Sequence, residues 1–316
     1  MSLFLAKRFA TFVATLFGTT VITFLALEIL PGDPARVILG VEAPESAVQA
    51  LREQLGLNRP ALDRYLDWVG GLATGNLADS YTYSVPVDEL LAARLEITVP
   101  LALLAMALSV AMAMVLGVFA AAHHNRRGDV AVMGVSQLGI SVPNFWLALL
   151  LILLFAVHLR WFSAGGFPGW DAGIGPALKS LLLPALALAT VQGAILTRFT
   201  RSAVLETMRE DYVRTARAKG LTRGQTLRRH VLRNAMIPIV TVMGLQFANL
   251  LAGTIVVENV FALPGVGRLI LQAITNRDIV VVRDVVTLLA AMVVMINLGV
   301  DLLYAAIDPR LKSSDV

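Results

Sequence analysis

The sequence predicts an all-α integral membrane protein with six transmembrane helices and both termini in the cytoplasm. Hydrophobic residues make up 57% of the 316 residues and charged residues 15%, whereas soluble domains contain roughly 45–50% and 25%. The mean hydropathy of the chain is +0.74. The apolar residues are concentrated in long uncharged blocks, and about 20 apolar helical residues cross the ~30 Å hydrocarbon core of a bilayer.

Six blocks without Lys, Arg, Asp or Glu account for the predicted spans. Five of them are long enough as they stand: Phe9–Leu27, Ile97–Ala122, Val130–Leu159, Ser180–Thr197 and Ala235–Val257. The sixth, Val285–Val300, reaches spanning length if it continues past Asp301 to Ile307. The first block is longer than the apolar core of a cleaved signal peptide, so it is predicted to remain as an anchor.

The charges between the blocks predict the orientation, because Lys and Arg are enriched on the cytoplasmic side of a membrane. The segment 31–98 holds ten acidic residues and five arginines, a net charge of −5, and is predicted to lie outside. The segment 198–233 holds ten basic and three acidic residues, a net charge of +7, and is predicted to lie inside. Both ends of the chain are basic, with Lys7 and Arg8 at the start and Arg310 and Lys312 at the end.

Three segments follow from this topology. Residues 1–30 form an N-terminal transmembrane helix, residues 31–98 an extracytoplasmic loop with short helices, and residues 99–310 a five-helix core that contains the cytoplasmic loop 198–233. Three short helices are predicted in the outer loop. They are Pro44–Leu55, a helix that starts at Arg59-Pro60 and stops at Gly70-Gly71, and an amphipathic surface helix Val87–Leu95.

The blocks contain few ionisable groups, which argues against a proton- or sodium-coupled pump. What they do contain is small or mildly polar. The candidates for a weakly selective path are Pro143, Asn144, Met243, Gln246 and Asn249. Close helix packing is the alternative explanation for such residues.

The basic loop 198–233 has internal structure that its charge does not explain. Asp211–Lys219 consists largely of helix-forming residues and is followed by Gly220, a favourable residue for a helix C-terminus. Thr222 with Gln225 matches a capping box, which predicts the start of a second helix. A short helix at a tight turn can act as a lever that fits a groove of a soluble partner. Nucleic-acid binding is disfavoured because aromatic residues are not interleaved with the charges.

The stretch Tyr212–Gly220 resembles the coupling motif of ABC importer permeases, and Asp211–Leu221 is similar to the version found in the dipeptide/oligopeptide/nickel branch. In this motif Gly220 has the family's spacing, and Arg214, Thr215 and Ala216 occupy the Glu-Ala-Ala positions. Segments elsewhere resemble the first, longer-looped permease of a pair: Leu30–Ala35, Leu55–Leu57 with Pro60, Tyr65 and Trp68, Glu258–Leu269, Asn276–Asp278, Asp301–Tyr304 and Asp308–Arg310. Gly75–Ala78 departs from the usual Gly-Asp-Leu-Gly.

The resemblance implies a type I ABC importer permease fold and a set of partners. These are a second homologous permease, two cytoplasmic ATPase subunits and an extracytoplasmic substrate-binding protein, in a lipid membrane and without nucleic acid. The implied ATPase contact consists of Tyr212, Val213, Arg214, Thr215, Ala216, Arg217, Ala218, Lys219 and Gly220, with Ala216 and Gly220 as its tightest positions. ATP and Mg²⁺ would bind to the partners, since this chain lacks a phosphate-binding loop. No catalytic residue, metal site or cofactor is expected in the chain.

The implied function is import of di- and oligopeptides across the cytoplasmic (inner) membrane. Nickel chelates, glutathione, opines and sugars are alternative substrates for the same class of importer. An ion-coupled secondary transporter and a membrane enzyme or scaffold are alternatives of other classes. The first would require a buried acid, and the second a convergent set of reactive groups, and neither pattern is evident.

Overall fold

The computed structural model describes residues 2–29, 33–40 and 42–307, and its regular elements in these ranges are helices. Their bounds are α1 (Ser2–Ile29), α2 (Pro34–Leu39), α3 (Glu45–Gln54), α4 (Ala61–Thr74), α5 (Val87–Ala122), α6 (Arg127–Ser141), α7 (Asn144–Leu151), α8 (Ile174–Thr207), α9 (Asp211–Ala218), α10 (Arg223–Thr226), α11 (Leu232–Val260), α12 (Val266–Thr275) and α13 (Ile279–Ile307). The π-helical turn Ile152–His158 extends α7, and Leu227–Val231 joins α10 to α11. A 3₁₀ turn, Trp170–Ala172, precedes α8.

Five long apolar helices can cross a membrane, namely α1, α5, α8, the joined α10–α11 and α13. A sixth span results if α6 and α7 with its π-helical turn are counted together. The prediction of an all-α protein is therefore confirmed, with five apolar spans, or six when this bent pair is counted as one. The segments Leu30–Gly32 and Asp308–Arg310, which carry part of the family resemblance, lie outside the described residues, as do the basic residues of the C-terminus.

The third apolar block is not one straight helix, which corrects the prediction for Val130–Leu159. The axes of α6 and of α7 with its π-helical turn differ by 101°. Pro143 explains the position of the break, because proline disfavours the helical conformation of the residue before it. Val142 accordingly has an extended backbone, with ψ of 123°.

The chain divides into two compact units. One contains Val99–Leu263 and residues 295–307, and the other contains Ser2–Thr98 and Pro264–Val294. The described residues of the outer loop lie in the second of these units. Residues 264–294, which the sequence placed in the core segment, pack in the same unit as that loop.

Helix α8 is the centre of the first unit and packs against α6, α7 and α11. Glycines let the neighbouring backbones come close. A Cβ atom at Gly117 of α5 would lie 2.7 Å from Thr200 Cβ, and one at Gly139 of α6 would lie 3.1 Å from Ala194 Cβ. Small residues serve this purpose in membranes, where lipid tails are as apolar as the helices and the hydrophobic effect does not drive helices together.

The second unit is held by buried carboxylates. Asp284 Oδ1 of α13 accepts a 2.6 Å hydrogen bond from Trp68 Nε1 of α4. Asp278, at the start of α13, accepts from Ser80 Oγ at 2.5 Å and from the backbone N–H of Thr82 at 2.9 Å. These bonds attach the outer loop to residues about 200 positions later in the chain, since the paired residues are separated by 196 to 216 positions.

Two of the outer-loop helices differ from their predicted forms. Helix α4 does not stop at Gly70-Gly71 but continues to Thr74 and ends at Gly75, whose φ is 74°. A Cβ atom at Gly71 would lie 2.5 Å from the backbone oxygen of Asn76, so the glycine permits the chain to fold back after the helix. The predicted surface helix Val87–Leu95 is instead the first part of the continuous α5. The third prediction, a helix over Pro44–Leu55, is confirmed as α3.

Replacing Gly117 with Ala should destabilise the fold, whereas the same change at Gly134 should not. The added methyl group at Gly117 meets Thr197 and Thr200, while at Gly134 it meets nothing within 4 Å. Overpacking costs about 1–3 kcal/mol, and alanine in an open helical position gains up to about 1 kcal/mol over glycine. The measurement is the apparent melting temperature of each detergent-solubilised variant. Equal shifts for the two variants would contradict the packing of α5 on α8.

Candidate coupling site and polar path

Helix α9 is attached to the first unit by one buried face. Val213 is 0% exposed and Ala216 is 7% exposed, whereas the other seven residues between Tyr212 and Gly220 are exposed. The spacing of three places Val213 and Ala216 on the same side of the helix. The predicted helix over Asp211–Lys219 is thus confirmed, with Lys219 as its C-terminal cap.

The buried face of α9 contacts three long helices. It lies in an apolar cluster with residues of α5, α8, α11 and the turn before α11: Ala121, Ala203, Val204, Val231, Ala235 and Ile239. A polar contact adds to this attachment, since Asn234 Nδ2 of α11 donates a 2.9 Å hydrogen bond to the Tyr212 hydroxyl. Full burial of a valine contributes about 1.5–3 kcal/mol. A displacement of α9 must therefore be shared by α5, α8 and α11.

The exposed face of α9 is basic. Arg214, Arg217 and Lys219 lie on it, and Arg214 makes a 3.3 Å ion pair with Asp211 across one turn. Such exposed pairs contribute little to stability. The side chains are 76% exposed for Arg214 and 95% exposed for Asp211, so both are accessible to a partner.

Gly220 ends this segment in a left-handed conformation, with φ of 90°. A Cβ atom there would meet nothing within 4 Å, so glycine is required by the backbone and not by lack of space. After the turn, Thr222 and Gln225 form the predicted capping box at the start of α10. Local signals in the sequence therefore specify the whole turn.

The structure separates the nine predicted contact residues by the side they face. Tyr212, Arg214, Thr215, Arg217, Ala218, Lys219 and Gly220 face outward. Val213 and Ala216 face the body of the unit, so Ala216 influences a partner only through the position of the helix. Gly220 lies at the exposed end of the helix, where a partner can approach the backbone.

Three of the five predicted path residues are brought together along α11. Asn249 Nδ2 donates a 3.1 Å hydrogen bond to Oε1 of the buried Gln246. One turn further on, a Cβ atom at Gly253 would lie 3.2 Å from Asn144 Nδ2, at the start of α7. The buried Asn144 Oδ1 has no hydrogen-bond partner among the described residues. The amides of Asn144, Gln246 and Asn249 thus form a polar strip within apolar helices.

The other two path residues have different positions. Pro143 is exposed and produces the break between α6 and α7. Met243 packs against the apolar cluster that holds α9.

The second unit contains a polar cavity of about 1090 Å³. Four arginines and four acids line it: Arg52, Arg59, Arg64, Arg283, Glu28, Asp33, Asp67 and Asp79. Three of these arginines are paired with acids of the lining, Arg52 with Asp33, Arg59 with Asp67 and Arg64 with Glu28. Burial raises the pKa of Tyr81, which also lines the cavity, so its hydroxyl stays neutral. Charged and polar side chains therefore line the cavity, and the charges of these three ion pairs balance.

Sequence reasoning missed one buried contact of the first unit. Asp129 near the start of α6 is 2% exposed and forms a bidentate ion pair with Arg201 of α8. Both residues flank apolar blocks, where charges are expected at a membrane surface in any case. No local pattern shows that they meet.

Known proteins are similar to this chain over nearly its whole length. Residues 113–313 match the family described as "Binding-protein-dependent transport system inner membrane component", and residues 1–102 match the corresponding N-terminal family. A Brucella abortus protein whose name contains "peptide transport system permease protein" is 42% identical, with 99% of both chains covered.

Two further relatives show the range of names among similar proteins. The di/tripeptide transport system permease protein DppB of Pseudomonas aeruginosa is 39% identical, with 98% of both chains covered. The glutathione transport system permease protein GsiC of Escherichia coli is 40% identical, also with 98% of both chains covered.

A solved structure supports the fold. The crystal structure of an amino acid ABC transporter with histidines matches with a TM-score of 0.53 and 16% identity, over 69% of this chain and 94% of that chain. Together with the family match over both parts of the sequence, these relatives identify the type of protein. The chain belongs to the binding-protein-dependent transport system inner membrane components, the membrane permeases of ABC importers.

Proposed function

We propose that this permease moves di- and oligopeptides across the cytoplasmic membrane and receives the ATP-driven motion through α9. The observation that carries the coupling role is the two-sided character of α9. One face is buried against three long helices, and the other presents exposed basic residues and the left-handed turn at Gly220. A helix-in-groove contact with a soluble subunit fits this arrangement.

The proposed orientation places α9 in the cytoplasm together with both termini. The net charge of +7 in residues 198–233 supports this, because basic loops remain on the cytoplasmic side. The outer loop, with its net charge of −5, then faces the extracytoplasmic binding protein.

The partners of ABC importer permeases are, in general, an ATPase and a binding protein. For this chain we propose two cytoplasmic ATPase subunits, which bind ATP and Mg²⁺, and a second homologous permease that completes the transport pathway. The chain itself would hold no cofactor and catalyse no reaction. Closure of the ATPases would push α9, and the apolar cluster would pass that displacement to α5, α8 and α11 as a rigid-body motion.

Peptides are the proposed substrates because the names of the relatives in Brucella abortus and Pseudomonas aeruginosa refer to peptides. Amides such as those of Asn144, Gln246 and Asn249 can donate and accept hydrogen bonds with any peptide backbone, without selecting a charge. Glutathione is a second candidate, since the Escherichia coli relative is named for it. It is itself a small peptide, so both candidates require the same permissive path.

Uptake of a radiolabelled dipeptide should require ATP and no ion gradient. The measurement uses proteoliposomes that contain the chain with its second permease, ATPases and binding protein, with ATP and Mg²⁺ on the ATPase side. Unlabelled tripeptide or glutathione is added as a competitor to rank the substrates. Uptake that continues without ATP, or that collapses when an ionophore is added, would identify a secondary transporter instead.

Substitutions at Gly220 should reduce transport in the order Asn, Val, Trp, with Trp abolishing it. Asparagine tolerates positive φ, whereas the left-handed conformation costs other residues roughly 1–2 kcal/mol. Tryptophan also obstructs a docking partner. The measurement is dipeptide uptake together with the yield and melting temperature of the purified chain. The yield should stay near wild type, and the melting temperature should fall by only the few degrees that this backbone cost predicts. Gly224→Trp is the matched control, because Gly224 is exposed, has open space around it and lacks a positive φ. Normal uptake by Gly220→Trp would refute the coupling role of this turn.

A further inference from the structure

A buried carboxylate connects α6 to the part of α8 that carries α9. Asp129 Oδ1 accepts a 2.6 Å hydrogen bond from Arg201 Nε, and Asp129 Oδ2 accepts one of 2.7 Å from Arg201 Nη2. Asp129 is 2% exposed, and the Arg201 side chain is 20% exposed. Two parallel bonds of this kind fix the mutual orientation of the two side chains as well as their distance.

Neighbouring groups hold this pair in place. The backbone N–H of Asn125, a residue with φ of 61°, donates a 2.9 Å bond to Asp129 Oδ2. His124 Nδ1 lies 3.0 Å from Arg201 Nη2 and 3.4 Å from Asp129 Oδ2. The turn between α5 and α6 therefore wraps around the carboxylate, and α8 supplies its counter-charge.

The position of Arg201 on α8 relates the pair to α9. Ala203 and Val204, two and three residues further along, belong to the apolar cluster that holds Val213 of α9. With a rise of about 1.5 Å per residue, both attachments lie within a single turn of α8. Helix α8 thus contacts α9 through apolar side chains and α6 through an ion pair, and both contacts lie at nearly the same position along α8.

Stability does not account for a buried ion pair at this position. Asp129 is out of contact with water but the Arg201 side chain is 20% exposed, and apolar residues of similar volume often give as much stability as an ion pair, or more. An apolar contact, however, allows two helices to slide and rotate relative to each other. A bidentate ion pair has one geometry, so it fixes the register between the helices.

We infer that Asp129 and Arg201 form a transmission link that makes α6, and through it the break at Val142-Pro143, follow the motion of α9. Both are positioning residues, since they act through the helices and not on the substrate. The inference rests on the proposed role of α9 as the helix that the ATPase moves. It extends that role to α6, which the apolar cluster around α9 does not include.

The decisive variant removes both charges together, as Asp129→Leu with Arg201→Met. This double variant retains a filled interior, so the chain should fold and assemble with its partners. The assembled transporter in proteoliposomes should hydrolyse ATP at near the wild-type rate, but transport at least about tenfold less dipeptide per ATP, because the register between the two helices is no longer fixed. Arg201→Lys keeps the charge without the bidentate geometry. The amount of dipeptide that it transports per ATP should lie between the values for the wild type and the double variant.

Arg198→Met is the matched control. Arg198 lies one turn before Arg201 on α8 and donates an exposed 3.3 Å hydrogen bond to Gln137 Oε1 of α6. This variant should transport like wild type.

Spin labels measure a distance that would not change in the double variant if the ion pair only stabilised the fold. The chain contains no cysteine, so labels can be placed at Val135→Cys on α6 and Phe199→Cys on α8, both of which are exposed. The distance between them should remain constant during ATP turnover in the wild type and broaden in the double variant. The inference is overturned if the double variant transports as much dipeptide per ATP as the wild type and if the distance between its spin labels stays constant. Failure of the wild-type complex to couple ATP hydrolysis to uptake would instead refute the proposed function.

Discussion

The close approach of helix backbones to α8 is the contact on which the rest of the first unit depends. Hydrocarbon does not drive helices together, so dispersion between well-fitted surfaces must do so. Gly117 and Gly139 provide that fit on α5 and α6, and Gly253 provides it on α11. The apolar attachment of α9, the amide strip and the Asp129–Arg201 pair all require helices that are already this close.

Polar groups have different roles in the two units. In the second unit, Asp278 and Asp284 attach the outer loop to the start of α13. In the first unit, close packing holds the helices together, and buried polar side chains occur at particular positions between them. The oxygen of Asn144, which lacks a hydrogen-bond partner in the part of the chain that the structure describes, is such a position, because leaving a buried carbonyl unsatisfied costs about 1–3 kcal/mol.

Local features of the sequence predicted the fold and the α9 turn, and non-local contacts remained hidden. Gly220 and the Thr222–Gln225 capping box are specified within a few residues, so they could be found. The Asp129–Arg201 contact spans 72 positions and the Trp68–Asp284 contact 216, and neither has a local pattern. Gly70-Gly71 failed as a helix stop because packing outweighs propensity where Gly71 contacts the chain beyond the helix.

The break at Val142-Pro143 has a consequence for where water can reach. Non-helical backbone at membrane depth is tolerated only where it is buried in protein or borders water, because exposed peptide groups cannot be satisfied by lipid. Pro143 is exposed, so it is not sheltered by its own chain. If α6 and α7 cross the bilayer as one broken span, the break must border either water or the second permease of the proposed complex, because lipid cannot satisfy its peptide groups. Asn144 begins α7 beside the break, so the amide strip starts at that border.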